Sequence, residues 1–175
     1  MDHVTTPTGL SRDTGVFDDP RLTAMGLFAE TWAGLQATVM PTITEAGLSL
    51  TDFDVLLRLA RSPDRRLRMT DLATQTALST SGVTRVVDRM EHRGLIRREV
   101  CPSDRRGAFA VLTEPGEALM GGLVGHHVQD IDRWFTGLLS PGQLSALLGA
   151  LRAIRDEVRP GATAGVYPPT APGQE

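Results

Sequence analysis

Lysine is absent from this sequence: all 18 basic residues are arginine. Arginine suits forked contacts to phosphate and guanine, although genomic base composition can produce the same bias. The single cysteine, Cys101, excludes an intrachain disulfide and any Cys-rich zinc ribbon. No apolar run is long enough to span a bilayer, and the start MDHVTTPTG has neither the basic residues nor the apolar core of a secretory signal. A cytoplasmic protein without membrane contact is expected. A Gly-rich phosphate loop, a Ser/His/Asp arrangement and a clustered carboxylate pair are also missing, which argues against an enzyme, and no cofactor is implied. His126 and Asp130 lie four apart on a predicted helix, but two ligands do not make a metal site, and a solvated helix face is expected there.

What is present fits a soluble globular chain, one domain or one subunit of an oligomer, with 41% hydrophobic and 22% charged residues in 175. The net charge of -3 is unevenly distributed. From Arg58 to Arg106 there are 12 arginines and 6 acids, giving +6, whereas the rest holds 6 arginines and 15 acids, giving -9. A basic segment in an acidic chain is the footprint of a local polyanion contact.

The most informative stretch runs from Ser79 to Thr113. Val83, Val86, Val87 and Met90 recur at i, i+3, i+4 and i+7, which makes one apolar stripe on a helix. The opposite face carries Ser81, Arg85, Asp88 and His92, with Thr84 beside them and small residues at the N-terminus. Ser79 is the expected N-cap and Gly94 the C-terminal exit. Upstream, Thr70–Ala77 reads as a short helix opening on a cap residue, Thr70, and only Ala77 and Leu78 lead from it to Ser79, so the pair is a helix-turn-helix. Downstream, Leu95–Cys101 and Ala108–Leu112 read as strands around the turn-rich Pro102–Gly107, a hairpin wing.

Asp104-Arg105-Arg106, followed by Leu112-Thr113 and Gly116, after Val87-Asp88-Arg89-Met90-Glu91 and Arg93-Gly94-Leu95-Ile96, resembles the MarR family of winged-helix transcription regulators from about Leu48 to Gly116. The resemblance implies a mainly α fold with a small β wing, a winged helix-turn-helix head joined to a helical dimerisation arm. It implies a homodimer on double-stranded DNA, most simply a repressor released by a small-molecule effector. Thr80, Ser81, Thr84, Arg85 and Arg89 of the recognition helix are then the expected DNA contacts, together with Asp104, Arg105 and Arg106 of the wing. One wing arginine is expected at the minor groove or backbone, and Asp104 pairs with an arginine to hold the tip. A carboxylate near phosphate is repelled, so Asp88 is expected to orient an arginine. Phe28, Trp32, Phe53 and Asp54 lie on the elements expected to wall an effector crevice, although aromatics at helical spacing also serve as core. The arginine expected in the recognition helix of urate-responsive members is Val86 here, so urate is not assigned. A protein-binding winged helix and a Cys101 thiol switch are the alternatives. Cys101 has no resolving partner and lies away from the family's usual sensor position near the first helix.

The remaining organisation follows from pattern. Residues 1–19 are expected to be a flexible arm, 20–159 a single domain and 160–175 a disordered Pro-rich tail. Within the domain, 20–47 and 114–159 are the expected dimerisation helices and 48–113 the head. The first helix, with Met25, Phe28, Trp32, Leu35 and Val39 on one face, is expected to stop near Pro41. Thr51 is the expected cap of the next helix, whose buried face is Phe53, Leu56, Leu57 and Ala60, and Leu67–Met69 an edge strand. Thr113 to about Leu139 is expected to be one long helix, and Ser140 caps a last one. Gly116, Gly121, Gly122 and Gly125 are expected to permit close helix packing, with a compliant joint as the alternative.

Overall fold

The stripe Val83, Val86, Val87 and Met90 is at most 5% exposed and marks the centre of the fold. The computed structural model describes residues 15, 17–101 and 104–162, and for 104–106 the backbone alone. The expected arm and tail therefore fall mostly outside the described residues, as do Pro102 and Ser103 of the turn. In chain order the elements are α1 (Pro20–Glu45), α2 (Leu50–Ala60), β1 (Arg66–Arg68), α3 (Met69–Thr76), α4 (Thr80–His92), β2 (Ile96–Cys101), β3 (Asp104–Leu112), α5 (Glu114–Trp134) and α6 (Pro141–Val158). The strands form one antiparallel sheet in the order β1-β3-β2. The architecture is mainly helical with a small wing, as the sequence leads one to expect.

The chain divides into two compact units, with the boundary inside α1 after Ala37. In the first unit Asp19 accepts the Arg21 amide at 2.8 Å and pairs with its guanidinium, which starts α1. Met25, Phe28 and Trp32 stand more than half exposed.

In the second unit Ile43, Leu56, Leu59, Leu72, Met90, Ile96 and Met120 are buried together with the α4 stripe. The expected stop at Pro41 is wrong, because α1 continues to Glu45. Pro41 forfeits only the bond to the Ala37 carbonyl, the residue at which the two units divide. Ile43, 1% exposed, draws the final turn into the core, and the Thr44 hydroxyl donates to the Pro41 carbonyl at 2.9 Å. Gly47, at φ +71°, then turns the chain.

Ser49, and not Thr51, caps α2. Its hydroxyl accepts the Asp52 amide at 3.1 Å while Asp52 accepts the Ser49 amide at 3.0 Å, a reciprocal capping box. Phe53 and Leu56 are buried as expected, but Val55 and Leu59 replace Leu57 and Ala60 as the remaining buried residues. Thr70 does not cap α3, since the helix starts at Met69 directly from β1. Ser79 does cap α4, accepting the Gly82 amide at 3.1 Å.

Two further boundaries moved. β3 begins at Asp104, so the backbone of Asp104–Gly107 is strand and not turn, with Cys101 opposite Asp104 past an irregularity in register between Val100 and Cys101. The expected long helix breaks after Trp134: Phe135 leaves helical geometry at φ -138°, ψ -74°, and one 3-10 turn, Thr136–Leu138, follows. Gly116 faces the Leu95 carbonyl so closely that a Cβ would overlap it. Among the described residues nothing lies within 4 Å of a Cβ built at Gly121, Gly122 or Gly125, so packing among those residues accounts only for Gly116.

Gly116→Ala is therefore expected to destabilise the chain by about 1–3 kcal/mol in urea unfolding. Gly121→Ala and Gly122→Ala are expected to stabilise it by about 0.5–1 kcal/mol each, by removing backbone entropy. A loss of stability at Gly121 or Gly122 would mean that a partner packs there.

Candidate nucleic-acid interface

With its stripe buried, α4 leaves Thr80, Ser81, Arg85 and Arg89 exposed and Thr84 half-buried. Ser81 Oγ lies 3.1 Å from Ser79 Oγ, and the Thr84 hydroxyl donates to the Thr80 carbonyl at 2.8 Å, so both are settled within their own helix. The Arg85 side chain makes no hydrogen bond or ion pair among the described residues. It is a solvated cation on the outward face of the second helix of a helix-turn-helix.

Arg89 is placed differently. Its guanidinium donates to Asp52 in the first turn of α2 while remaining half exposed. Asp52 is 4% exposed, and burial alone would raise its carboxyl. The donors from Arg89 and Ser49 outweigh that burial and hold it below the usual carboxylate range. Arg93, at the end of α4, donates to the Gly47 carbonyl at 2.8 Å, closing the α1–α2 turn. Asp88 pairs with Arg98 of β2 at 2.6 Å, the orienting duty expected of it. Arg93 and Arg98 were not foreseen as structural, because one guanidinium looks like another until its distant partner is known.

The wing contributes the strand backbone of Asp104, Arg105 and Arg106, whose side chains lie outside the described residues. Cys101 is 2% exposed on β2, a poor position for an oxidant to reach. On the face of the sheet that carries Phe109, the guanidinium carbons of Arg66 and Arg68 lie 5.2 and 5.4 Å from its ring centroid, a cation–π cluster with no signal in local sequence.

The expected effector residues do not form one described group. Phe28 and Trp32 belong to the first unit, exposed at 58% and 52%. Phe53, 3% exposed, is core of the second, and Asp54 pairs with Arg58 at 3.2 Å. The Phe53 ring meets His127 of α5 edge to face at 4.8 Å. His127 Nδ1 is buried without a hydrogen-bond partner among the described residues, and burial pushes its pKa down against the pull of Asp130. Asp130 accepts from Thr42 at 3.2 Å, whereas His126 Nδ1 sits 3.1 Å from the carbonyl of Gly122. Among the described residues no three His, Cys, Asp or Glu gather as metal ligands.

Residues 46–107, from the α1–α2 turn through the wing, match the family model described as MarR family. The fold matches the crystal structure of AbsC, a MarR family transcriptional regulator from Streptomyces coelicolor, with TM-score 0.77 and 39% identity over 81% of this chain and 96% of that one. The chain belongs to the MarR family. Its members are transcription regulators with a DNA-binding winged helix-turn-helix, not enzymes. Sco3205, a MarR family regulator of Streptomyces coelicolor solved in complex with DNA, is 31% identical over 79% of this chain and 91% of its own, with TM-score 0.75. BpsR of Bordetella bronchiseptica, whose DNA binding is regulated by 6-hydroxynicotinic acid, is 26% identical over 86% and 99%, with TM-score 0.66. The chain spans 65% of the length of the first curated relative it matches. No helix among the described residues is long and apolar enough to cross a membrane.

Two outcomes follow for this MarR chain. Arg89→Ala strands the buried Asp52 carboxylate and is expected to cost about 2–3 kcal/mol of stability in urea, against less than about 0.5 kcal/mol for Arg85→Ala. Equal costs would refute the division of duties.

His127 gives a pH dependence. The unfolded imidazole titrates near about 6.5 and the folded one lower, so the unfolded state binds more protons as pH falls through that window. The contribution is whole above the unfolded value and lost as pH falls through the folded one. Stability should therefore decline below about pH 6.5 in wild type and decline less in His127→Gln. Identical profiles by thermal unfolding would contradict the assignment.

Proposed function

We propose that the chain is a homodimeric transcriptional repressor that reads an inverted-repeat operator and releases it when a small-molecule effector, such as an aromatic one, biases the spacing of its two heads. The observation that carries the DNA reading is the outward face of α4, with Arg85 exposed and unpaired among the described residues while the opposite stripe is buried. Arg85 is assigned a guanine edge in the major groove. Thr80, Ser81 and Thr84 are assigned base or phosphate contacts, and Arg105 and Arg106, with Asp104 at the hairpin tip, the flanking DNA. Arg89 keeps a phosphate role only through the half of its side chain that solvent reaches.

Dimerisation is supported by apolar surface near both ends of the chain. Met25, Phe28 and Trp32 of α1, Val128 and Trp134 of α5, and Leu148, Ile154 and Val158 of α6 are each 36–69% exposed. Large apolar side chains left in solvent on one element mark association surfaces. Effector release is supported by the relative whose DNA binding responds to 6-hydroxynicotinic acid. Phe28, Trp32, Phe53 and Asp54 stay as the candidate effector residues. The mechanism involves no bond making. A ligand that prefers the head spacing that misfits the operator shifts the equilibrium by its difference in affinity for the two states.

Leu151→Asp with Ile154→Asp places charge in the apolar surface of α6 and is expected to yield unfolded or aggregated chain; a stable folded monomer at micromolar concentration would remove the dimer.

On DNA, Arg85→Ala is expected to cost about 1–3 kcal/mol per half-site at one base-pair position. Arg105→Ala and Arg106→Ala are expected to weaken binding to all sequences and flatten the salt slope by about one unit per lost phosphate contact, doubled in a dimer. Salt titrations on matched and scrambled duplexes check both. Absence of any inverted-repeat preference, with an unchanged slope in the wing variants, would favour a protein-binding module.

A further inference from the structure

Arg98 lies on β2, an edge strand of the sheet, and its backbone N–H, Nη1 and Nη2 all find partners on α4. Nη2 pairs with Asp88 at 2.6 Å, and Nη1 with Glu91 at 3.0 Å. Nη2 also lies 3.4 Å from the Thr84 carbonyl. The backbone N–H of Arg98 donates to the other Glu91 oxygen at 3.1 Å, so the same carboxylate also covers a donor on the open edge of the strand. The side chain is 32% exposed, and Asp88 and Glu91 are 46% and 38% exposed. One guanidinium therefore bridges two carboxylates and a backbone carbonyl of the recognition helix, a forked geometry that an ammonium group cannot reproduce.

Its place along the hairpin matters as much as its partners. Ile96, paired with Leu112, is the base of the wing, and Cys101, opposite Asp104, begins the tip. Arg98 stands two residues from that base. Cys101 is three residues farther out, about 10 Å at strand rise, so a small angular slack at Arg98 becomes a larger displacement at Arg105 and Arg106.

We propose that Arg98 is a positioning residue that fixes the angle of the wing relative to α4, so that helix and wing engage one duplex together. The inference rests on the DNA-reading proposal above. It assigns Arg98 no DNA contact of its own: its effect on affinity passes through Arg105 and Arg106.

The test is a mutant cycle on the full chain. Wild type first selects a duplex from a random pool. Wild type, Arg98→Ala, Arg98→Lys, the Arg105→Ala/Arg106→Ala pair and the combination of Arg98→Ala with that pair are then titrated against salt on this duplex and a scrambled one, with thermal midpoints recorded. Arg98→Ala is expected to keep the base preference read by α4 but to lose about tenfold or more in affinity and most of the wing's share of the salt slope. That share is up to roughly 0.9 for each arginine withdrawn from phosphate. Adding the wing pair to Arg98→Ala should then cost less than about twofold more, the non-additivity expected of residues acting through one another. Arg98→Lys should recover only part of the loss, and it carries the same cycle if Arg98→Ala does not fold.

Fully additive losses, or an Arg98→Ala chain with wild-type affinity and slope, would overturn the proposal while leaving the DNA reading intact. A wild type that selects no duplex would overturn both. A merely structural role would lower the thermal midpoint without coupling to the wing arginines.

Discussion

Burial of Val83, Val86, Val87 and Met90 decides which face of α4 meets the solvent, and the rest of the head depends on that choice. Rotating the helix by one residue would expose valines and bury Arg85. The packing is reinforced by charge. Arg89 reaches into the first turn of α2, where Asp52 already closes a capping box with Ser49, and Arg93 holds the turn before α2. The helix is thus fixed along its length by bonds to separate elements, and Arg85 is left outside that scheme.

The basic segment takes on a different meaning once its partners are known. Of its 12 arginines, Arg58, Arg65, Arg66, Arg89, Arg97 and Arg98 each pair with a carboxylate. The excess of positive charge identifies the region, but these six guanidiniums are committed to carboxylates, Arg93 to the Gly47 carbonyl and Arg68 to the Phe109 ring. A salt-bridge count would misjudge their worth, since exposed pairs such as Arg66–Asp64 contribute little, whereas Arg89 satisfies an acid that is almost fully buried.

Periodic features were legible in the sequence because one face of an element repeats a simple rule. The α4 stripe, the Ser79 and Ser140 caps and the three-stranded wing follow from spacing and composition. Boundaries set by tertiary contact were not. Pro41 reads as a stop, yet Ile43 pulls the helix through it; Thr51 is as good a cap as Ser49 until Asp52 chooses between them. The helix break at Phe135 has no local proline to announce it. The exposed candidate Arg85 was legible as well, but the internal duty of Arg89 depends on Asp52, thirty-seven residues away, and no local pattern carries that distance.

The central claim is that the outward face of α4 enters the major groove in both halves of a dimer. An iron chelate tethered through Ser81→Cys, in a chain whose buried Cys101 is replaced by Ser, tests it directly by cleaving DNA beside the probe. The account predicts two clusters of cuts facing the major groove, centred about 10 bp apart or a multiple of one helical turn. Cuts scattered evenly along the selected duplex, or confined to the minor groove, would contradict it.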